Sequence, residues 1–217
     1  MDSINYLEAD VRQRNMTDWQ TAFWPTFFLS IITCGIYWFY VLYKLLERRE
    51  QHFERMVSFR THLLDVLKEK AAAAGRADEM QADINELEGM NLDATNRDRA
   101  GEKSPVLWLV LSIVIGVVVY YVYYFLNDDF RAHEASEHDF MLKASEVMNK
   151  LGISTGQVMT PVVVPERNFV KYLILTIITC GIYGIYWIYT LITDPNYHFD
   201  NHAVWEQQVM SMVQPSK

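Results

Sequence analysis

Cysteine and positive charge are both scarce in this chain of 217 residues. Its two cysteines, Cys34 and Cys180, each lie inside an apolar stretch, which excludes a disulfide framework. Lysine and arginine number 19 against 27 aspartates and glutamates, which gives a net charge of −8. A basic surface for nucleic acid is therefore not expected. Phosphate-binding loops, nucleophile elbows and haem attachment motifs are also missing, so an enzyme is less expected than a non-catalytic protein.

Three long stretches contain no Asp, Glu, Lys or Arg, although the mean hydropathy of −0.03 is typical of a soluble protein. They cover residues 19–43, 104–127 and 172–193. A membrane-spanning helix needs about 20 apolar residues, and tyrosines crowd the C-terminal end of each stretch like an aromatic belt. The sequence therefore predicts an all-α integral membrane protein with three membrane helices. These helices are Phe23–Leu46, Pro105–Leu126 and Tyr172–Ile192.

The charges beside these stretches predict an orientation. The first stretch runs into Lys44, Arg48 and Arg49 rather than a small-residue cleavage site, so a cleaved signal peptide is not expected. The loop 47–104 holds ten lysines and arginines, more than any other exterior segment. The positive-inside rule therefore favours a multi-pass protein of the cytoplasmic membrane with this loop in the cytoplasm, although the bias nearly vanishes close to the segment ends.

An internal repeat relates the first and third stretches. At a shift of 146 residues, Phe28–Phe53 aligns without a gap on Ile174–Phe199, with 13 of 26 positions identical. The identical positions include the run Ile-Ile-Thr-Cys-Gly-Ile-Tyr and a histidine 17 residues beyond its glycine. Such a match indicates a duplication.

The middle stretch is a fainter third copy at a shift of 81 residues. Gly116 falls on Gly35 and His133 on His52, which itself aligns with His198. Seven residues beyond each of these histidines stands an aromatic residue, and the three are Phe59, Phe140 and Trp205. Because steps of seven keep side chains on one helical face, each membrane helix is expected to continue outward as an amphipathic helix.

The repeats divide the chain into six segments. They are an N-terminal segment (1–22), repeat unit 1 (23–75), a charged loop with a short helix (76–104), a degenerate repeat unit 2 (105–152), an extended linker (153–171) and repeat unit 3 (172–217). Small and aromatic residues of the units are expected at helix-packing positions of the repeat core. These residues are Gly35, Gly116, Gly181, Gly184, Tyr40, Tyr121 and Tyr186.

The apolar stretches also allow a second topology, in which each is a re-entrant hairpin. Arms of about 10 residues would reach about 15 Å, half the hydrocarbon thickness. The residues Thr33-Cys34-Gly35 could form a turn at the centre of the first stretch, whereas Gly116 has only apolar and β-branched neighbours. Spanning helices are therefore the preferred interpretation.

The six histidines all lie outside the apolar stretches. His198 and His202 stand four residues apart, and the run His-Glu-Ala-Ser-Glu-His at 133–138 offers two His/Glu pairs at the same spacing. If three units packed around a pseudo-threefold axis, the three repeated histidines would converge on one ion. Imidazole and carboxylate suit zinc or iron, although a histidine at this distance from a membrane can also hydrogen-bond at the headgroup level. The candidate metal ligands are His52, His133, His138, His198 and His202; no other cofactor is expected.

The repeated motif resembles that of an uncharacterised membrane family. Ile-Thr-Cys-Gly-Ile-Tyr-Trp-Phe-Tyr at 32–40 and Ile-Thr-Cys-Gly-Ile-Tyr-Gly-Ile-Tyr-Trp-Ile-Tyr at 178–189 are similar to the Thr-x-Gly-Ile-Tyr-x-x-Tyr-Trp core of domain-of-unknown-function family 4234. The match covers about 50 residues in two places, and the first copy departs from it, with Trp38 directly after Tyr37 and Val41 where the second has Trp187. The resemblance implies a prokaryotic inner-membrane setting and assigns no activity.

Three functional hypotheses follow. The first is a non-catalytic membrane scaffold or accessory subunit that assembles with itself or with other membrane proteins. The second is a metal-binding membrane protein or enzyme that uses the juxtamembrane histidines. The third is a membrane-shaping protein with re-entrant hairpins. The expected partners are a lipid bilayer and further copies or membrane-complex subunits, with no nucleic acid.

Overall fold

The computed structural model describes residues 2–100 and 103–214, which fold into eight helices. In chain order they are α1 (Asp2–Thr17), α2 (Phe23–Ile32), α3 (Ile36–Ala73), α4 (Ala77–Asp98), α5 (Pro105–Val114), α6 (Val118–Lys150), α7 (Phe169–Ile178) and α8 (Ile182–Val213). Three of these, α3, α6 and α8, are long helices of 38, 33 and 32 residues. Each long helix follows a ten-residue helix across a tight turn.

Each apolar stretch thus forms a helical hairpin instead of one continuous helix. In the part of the chain that the structure describes, no helix combines the length and the apolar character needed to cross a bilayer. The prediction of three membrane-spanning helices is therefore wrong. The localisation derived from it, a multi-pass protein of a prokaryotic inner membrane with loop 47–104 in the cytoplasm, is wrong on the same finding.

The first turn is built by the repeated Thr-Cys-Gly motif. Cys34 and Gly35 adopt left-handed backbone conformations, with φ of 50° and 89°, and the Gly35 amide donates to the Ser30 carbonyl at 2.7 Å. This geometry ends α2 as a glycine C-cap does. The hydroxyl of Thr33 accepts from the Tyr37 amide at 2.9 Å, so the same three residues also cap the start of α3.

The third hairpin repeats this turn, and the middle one does not. Cys180 and Gly181 have φ of 49° and 93°, and Thr179 accepts from the Tyr183 amide at 2.9 Å. The middle turn spans residues 115–117, and no residue of it has a positive φ. The identical residues of the outer units therefore encode the turn itself, which the degenerate unit makes by another route.

We expect Gly35→Ala to lower the free energy of unfolding by about 1 kcal/mol, because an L-residue resists the left-handed conformation. The matched control is Gly89→Ala, inside α4. At both positions an added Cβ would meet no described atom within 4 Å, and only Gly35 has a positive φ. The control should be neutral or stabilising by up to about 1 kcal/mol. Urea titration followed by circular dichroism measures both, and an equal effect of the two changes would contradict the assignment.

The three long helices run parallel, with their turns at one end of the bundle. Near the turns, Tyr123 of α6 contacts Trp38 of α3 and Trp187 of α8, with ring centroids 6.1 and 5.4 Å apart. At the far end, Phe59 of α3 contacts Trp205 of α8 at 5.4 Å. Between these levels lies a small aromatic cluster of Phe53, Phe130 and Phe199. Matching levels along three helices place all three turns, called the hairpin tips below, at the same end.

Two further helices pack along the outside of this bundle. α1 lies against α3, and α4 lies against both α3 and α6. α1 ends directly before Asp18, and α4 ends at Asp98. Residues 153–168 form no regular element and bury Val158 and Val164 against the bundle. These outer segments bring acidic side chains to the level of the repeated histidines.

Candidate metal centre

Four histidines from three helices meet in the interior of the bundle. His52 comes from α3, His133 from α6, and His198 and His202 from α8. One ring nitrogen of each lies within 4.8 Å of the others, and every ring is buried. The three repeated histidines converge because their helices run parallel in matching register. His202 joins them one turn further along α8, with its ring 4.3 Å from that of His198.

The two remaining histidines lie outside this cluster. His138, a fifth candidate from the sequence, donates from Nδ1 to the carbonyl of Thr160 at 2.8 Å. His62 donates to Asp10 at 2.6 Å. Both rings are only half-buried. They therefore provide control positions for any test of the cluster.

Each clustered ring is held by a carboxylate on the nitrogen that faces away from the centre. The Nδ1–oxygen distances lie between 2.8 and 3.1 Å. The four pairs are His52–Asp18, His133–Asp98, His198–Glu134 and His202–Glu206. An ionised carboxylate can only accept, so each Nδ1 carries a proton. With no ion bound, the Nε2 atoms of His52 and His198 keep their lone pairs, whereas His202 Nε2 donates to Glu137. Metal-ligating histidines are commonly oriented by such carboxylates.

The Nε2 atoms face one another and one further carboxylate. His52 Nε2 lies 3.2 Å from His198 Nε2. Glu137 reaches the other two rings, with Oε2 2.9 Å from His202 Nε2 and Oε1 3.0 Å from His133 Nε2. The centre of the cluster is thus lined by four imidazole nitrogens and a carboxylate.

Some buried polar atoms at this centre lack a hydrogen-bond partner. Within the described residues, neither His133 Nε2 nor Glu137 Oε1 makes a hydrogen bond, because their 3.0 Å contact lacks the required geometry. Arg60 Nη1 is also unpaired and lies 4.0 Å from Glu137 Oε1. A buried polar atom left without a partner costs about 1–3 kcal/mol. The unpaired atoms of His133 and Glu137 face each other at the centre of the cluster.

The buried charges around the cluster do not balance while the histidines are neutral. Four of the five carboxylates described above contact the guanidinium groups of Arg14, Arg55 or Arg60, and Glu134 instead accepts from His198 and two backbone amides. Arg55 donates to two of these carboxylates, Glu206 at 2.7 Å and Asp18 at 3.0 Å. The carboxylates outnumber these guanidinium groups by two. Arg48, buried one turn before His52, adds a further positive charge that acts on Asp18. Protons on the histidines or a bound cation would offset the remaining negative charge.

Burial keeps two of the rings neutral. It lowers the pKa of His52 well below its usual value, against the opposing effect of Asp18. It also lowers the pKa of His198, and the charge of His202 adds to the effect. Since their Nδ1 protons point at carboxylates, the two Nε2 lone pairs of these rings face each other at 3.2 Å. A proton on either nitrogen would make this contact a hydrogen bond, and a metal ion could bind both lone pairs.

The other two rings hold protons when no ion is bound. Burial opposes a charge on His202, but Glu137 and Glu206 outweigh it and raise the pKa of His202 to about 9. Burial also opposes a charge on His133, and nearby carboxylates again raise the pKa. The same pairs hold the pKa of Glu137 well below its usual value, despite its burial. A metal ion entering the cluster would displace these imidazole protons.

Three of the carboxylates were not singled out from the sequence. Asp18, Asp98 and Glu206 come from the N-terminal segment, the charged loop and the C-terminal end of α8, and no local motif marks them. The run 133–138 did indicate Glu134 and Glu137. Glu134 bonds His198 on another helix, however, and not its i+4 neighbour in the run.

The predicted helix-packing glycines divide into two groups. An added Cβ at Gly35, Gly116 or Gly181 would meet no described atom within 4 Å, so these residues form turns and make no helix contact inside the chain. At Gly184 the Cβ would lie 3.2 Å from Thr176, where α7 approaches α8 closely. The predicted tyrosines are exposed on the long helices near the tips; they are Tyr40, Tyr121 and Tyr186.

Comparison with known proteins bears on the third repeat unit. Residues 167–213 match the model of a family described as Domain of unknown function (DUF4234). The matched segment contains α7, the third turn and α8 with His198 and His202. No curated protein and no solved structure matches the chain. The family predicted from the repeated motif is confirmed for the third repeat unit, whose residues 167–213 match the DUF4234 model.

Proposed function

We propose that this chain binds a divalent transition-metal ion through His52, His133, His198 and His202. The observation that carries the proposal is their shared geometry. Four buried rings turn one nitrogen towards a common centre and bind a carboxylate through the other. A cluster of hydrogen-bonded core histidines would not need this uniform orientation. Imidazole ligands favour zinc, copper, iron or nickel over magnesium or calcium.

The distances suit such an ion. A tetrahedral ion with metal–nitrogen bonds of 2.0–2.1 Å holds its ligand nitrogens about 3.4 Å apart. The Nε2 atoms of His52 and His198 are 3.2 Å apart, and all four ligand atoms lie within 4.8 Å of one another. Small side-chain rotations would bring the set to bonding distance. Glu137 lies beside these nitrogens and offers a fifth ligand.

The buried charges can accommodate a divalent ion. The five carboxylates exceed the guanidinium groups that contact them by two, and without an ion the protons of His133 and His202 offset this excess. An M²⁺ ion would take the place of those protons at the centre of the cluster. The ion would also bind the unpaired atoms of His133 and Glu137, which then would no longer lack a partner.

Four protein ligands in a buried site are typical of a structural metal centre, since catalytic zinc sites keep a position open. The ion would join α3, α6 and α8 at one level and hold the three repeat units together. We include in the proposal the non-catalytic role expected from the sequence, because a closed site leaves no coordination position for a substrate.

The test is elemental analysis of the full chain after purification without chelators, followed by titration of the stripped chain with zinc and iron. The wild type should carry about one ion per chain. His198→Ala should lose it, because three of the four rings then remain. His138→Ala and His62→Ala are the matched controls, since both rings lie outside the cluster, and both variants should bind like the wild type.

Two results would contradict the proposal. One is a wild-type chain that contains no metal as purified and takes none up on titration. The other is equal metal content in His198→Ala and His138→Ala, which would place the ion elsewhere.

A further inference from the structure

The most exposed aliphatic side chains of the chain gather at the three hairpin tips. Six side chains beside the turns are each at least 70% exposed. They are Ile32, Ile36, Val114, Val117, Ile178 and Ile182. Isolated apolar residues are common on protein surfaces, but a contiguous group of this kind marks an interaction site. Because the three turns lie at one end of the parallel bundle, these side chains form one apolar end.

Polar groups near this end are satisfied within their own helices. The hydroxyls of Ser30, Ser112, Thr176 and Thr179 each bond to a carbonyl one turn earlier, at 2.7–2.8 Å. The amides that begin α3 and α8 after the outer turns bond to threonine hydroxyls and turn carbonyls. Surfaces that meet water have no need of such internal pairing. In hydrocarbon it is obligatory, since no solvent can satisfy a polar group there.

The height of the uncharged end corresponds to half a bilayer. The first charge of each hairpin is Lys44, eight residues beyond the start of α3, Asp128, ten residues beyond the start of α6, and Lys171, seven residues before the end of α7. At 1.5 Å per residue, these positions lie about 12, 15 and 11 Å from the tips. One leaflet of hydrocarbon is about 15 Å thick. Tyr124 and Tyr189 are exposed six and seven residues beyond the starts of α6 and α8. They lie about 9 and 11 Å from the tips, towards the interface that aromatic rings favour.

The geometry points to a lipid leaflet as the partner of this end: the three hairpin tips enter the hydrocarbon of one leaflet and stop near its centre. The helices beyond the tips, including the metal-ligand cluster, then stay outside the bilayer on the same side. This differs from a spanning topology, because all three turns enter from one side. It is independent of the proposed metal binding.

A second copy of the chain is the alternative occupant. The tips belong to separate hairpins and expose aliphatic side chains on both arms of each turn, such as Ile32 and Ile36. A fluid apolar phase can surround such protrusions, whereas a rigid partner needs one complementary face. The satisfied hydroxyls and the match to one leaflet also favour lipid.

The test uses the full chain and neutral phosphatidylcholine vesicles in a flotation assay. Ile32→Glu, Val114→Glu and Ile178→Glu are combined in one variant, with one charge at each tip. The control combines Leu92→Glu, Met159→Glu and Val204→Glu, which are 60%, 71% and 69% exposed but lie away from the tips. Wild type and control should float with the vesicles. The tip variant should partition at least about 1000-fold less, since each of its three charges costs more than tenfold in the hydrocarbon.

The two native cysteines report the depth of insertion. Cys34 and Cys180 lie exposed in the two outer turns, and together they are the cysteines of the chain. A fluorophore attached to either should be quenched more strongly by a nitroxide near the bilayer centre than by one at the headgroup. The circular dichroism spectrum of each Glu variant shows whether its helices are intact.

Equal flotation of the tip variant and the control variant would overturn the proposal. Fluorophores that remain in water on vesicles carrying the wild type would also overturn it. A third overturning result is a wild type that does not float and forms an oligomer that the tip substitutions dissociate. That outcome would identify a second copy as the occupant.

Discussion

Stripping the metal from the purified chain is expected to lower its free energy of unfolding by about 4 kcal/mol, if free metal beforehand exceeds the dissociation constant about a thousandfold. The ion binds the assembled cluster, and the unfolded chain cannot hold four histidines from three helices together. Removal also leaves the facing lone pairs of His52 and His198 without a cation between them. Urea titrations before and after chelation, followed by circular dichroism, measure the loss.

The control for metal removal is His198→Ala treated in the same way. This variant lacks one ligand of the cluster, so chelation should leave its unfolding midpoint almost unchanged. The wild type should recover its midpoint when zinc or iron is restored. An unfolding midpoint of the wild type that does not respond to chelation, in a chain known to be loaded, would contradict a structural role for the ion.

Arg55→Ala is expected to lower the free energy of unfolding by about 3–5 kcal/mol. The guanidinium of Arg55 is fully buried and bonds Glu206 at 2.7 Å, Asp18 at 3.0 Å and the hydroxyl of Thr17 at 3.1 Å. Its removal leaves the Asp18 carboxylate without a contacting guanidinium and Glu206 with only Arg14, at 3.4 Å. Both carboxylates orient rings of the cluster, so the metal affinity should fall as well.

Arg99→Ala is the matched control for Arg55→Ala. Arg99 makes two hydrogen bonds to Glu54, at 2.9 and 2.8 Å, but both side chains are more than half exposed. An exposed ion pair contributes about 0–1 kcal/mol. Thermal or urea unfolding of both variants provides the comparison. If Arg55→Ala cost no more than Arg99→Ala, the buried charge network would not stabilise the fold as described.

The repeat was the most informative feature of the sequence. It placed His52, His133 and His198 at equivalent positions and predicted that each apolar segment continues as an amphipathic helix. The equivalent histidines follow from aligning the segments, and the amphipathic helices follow from the helical periodicity within each segment. A sequence displays both features directly. The long helices α3, α6 and α8 follow that periodicity without interruption. Parallel packing of equivalent helices then brings equivalent histidines together.

The topology of the apolar segments was harder to predict, because hydropathy measures composition and not direction. About 24 apolar residues suit one spanning helix or two antiparallel arms of about 10 residues equally well. The local evidence for a turn lay in Thr33-Cys34-Gly35 and in its copy at 179–181. In each copy the cysteine and glycine adopt left-handed conformations that end the first helix. The threonine hydroxyl caps the second helix. The degenerate turn at 115–117 lacks these residues, so it argued for a spanning helix.

The carboxylates around the cluster could not be predicted from local patterns. Asp18 directly follows α1 and Asp98 ends α4, and these two helices pack along the outside of the bundle. These contacts join residues 34 and 35 positions apart in the chain, and Glu134 meets His198 across 64. Such pairs follow from the packing of whole helices.

X-ray absorption at the metal edge of the purified full chain tests the central claim most directly. We expect nitrogen scatterers at about 2.0–2.1 Å, with the outer-shell signals of four imidazole rings. In His198→Ala, any metal that remains should show one imidazole ring fewer in its outer-shell signal. His138→Ala should give the spectrum of the wild type. A first shell without imidazole, or a chain that holds no metal under loading conditions, would contradict the account.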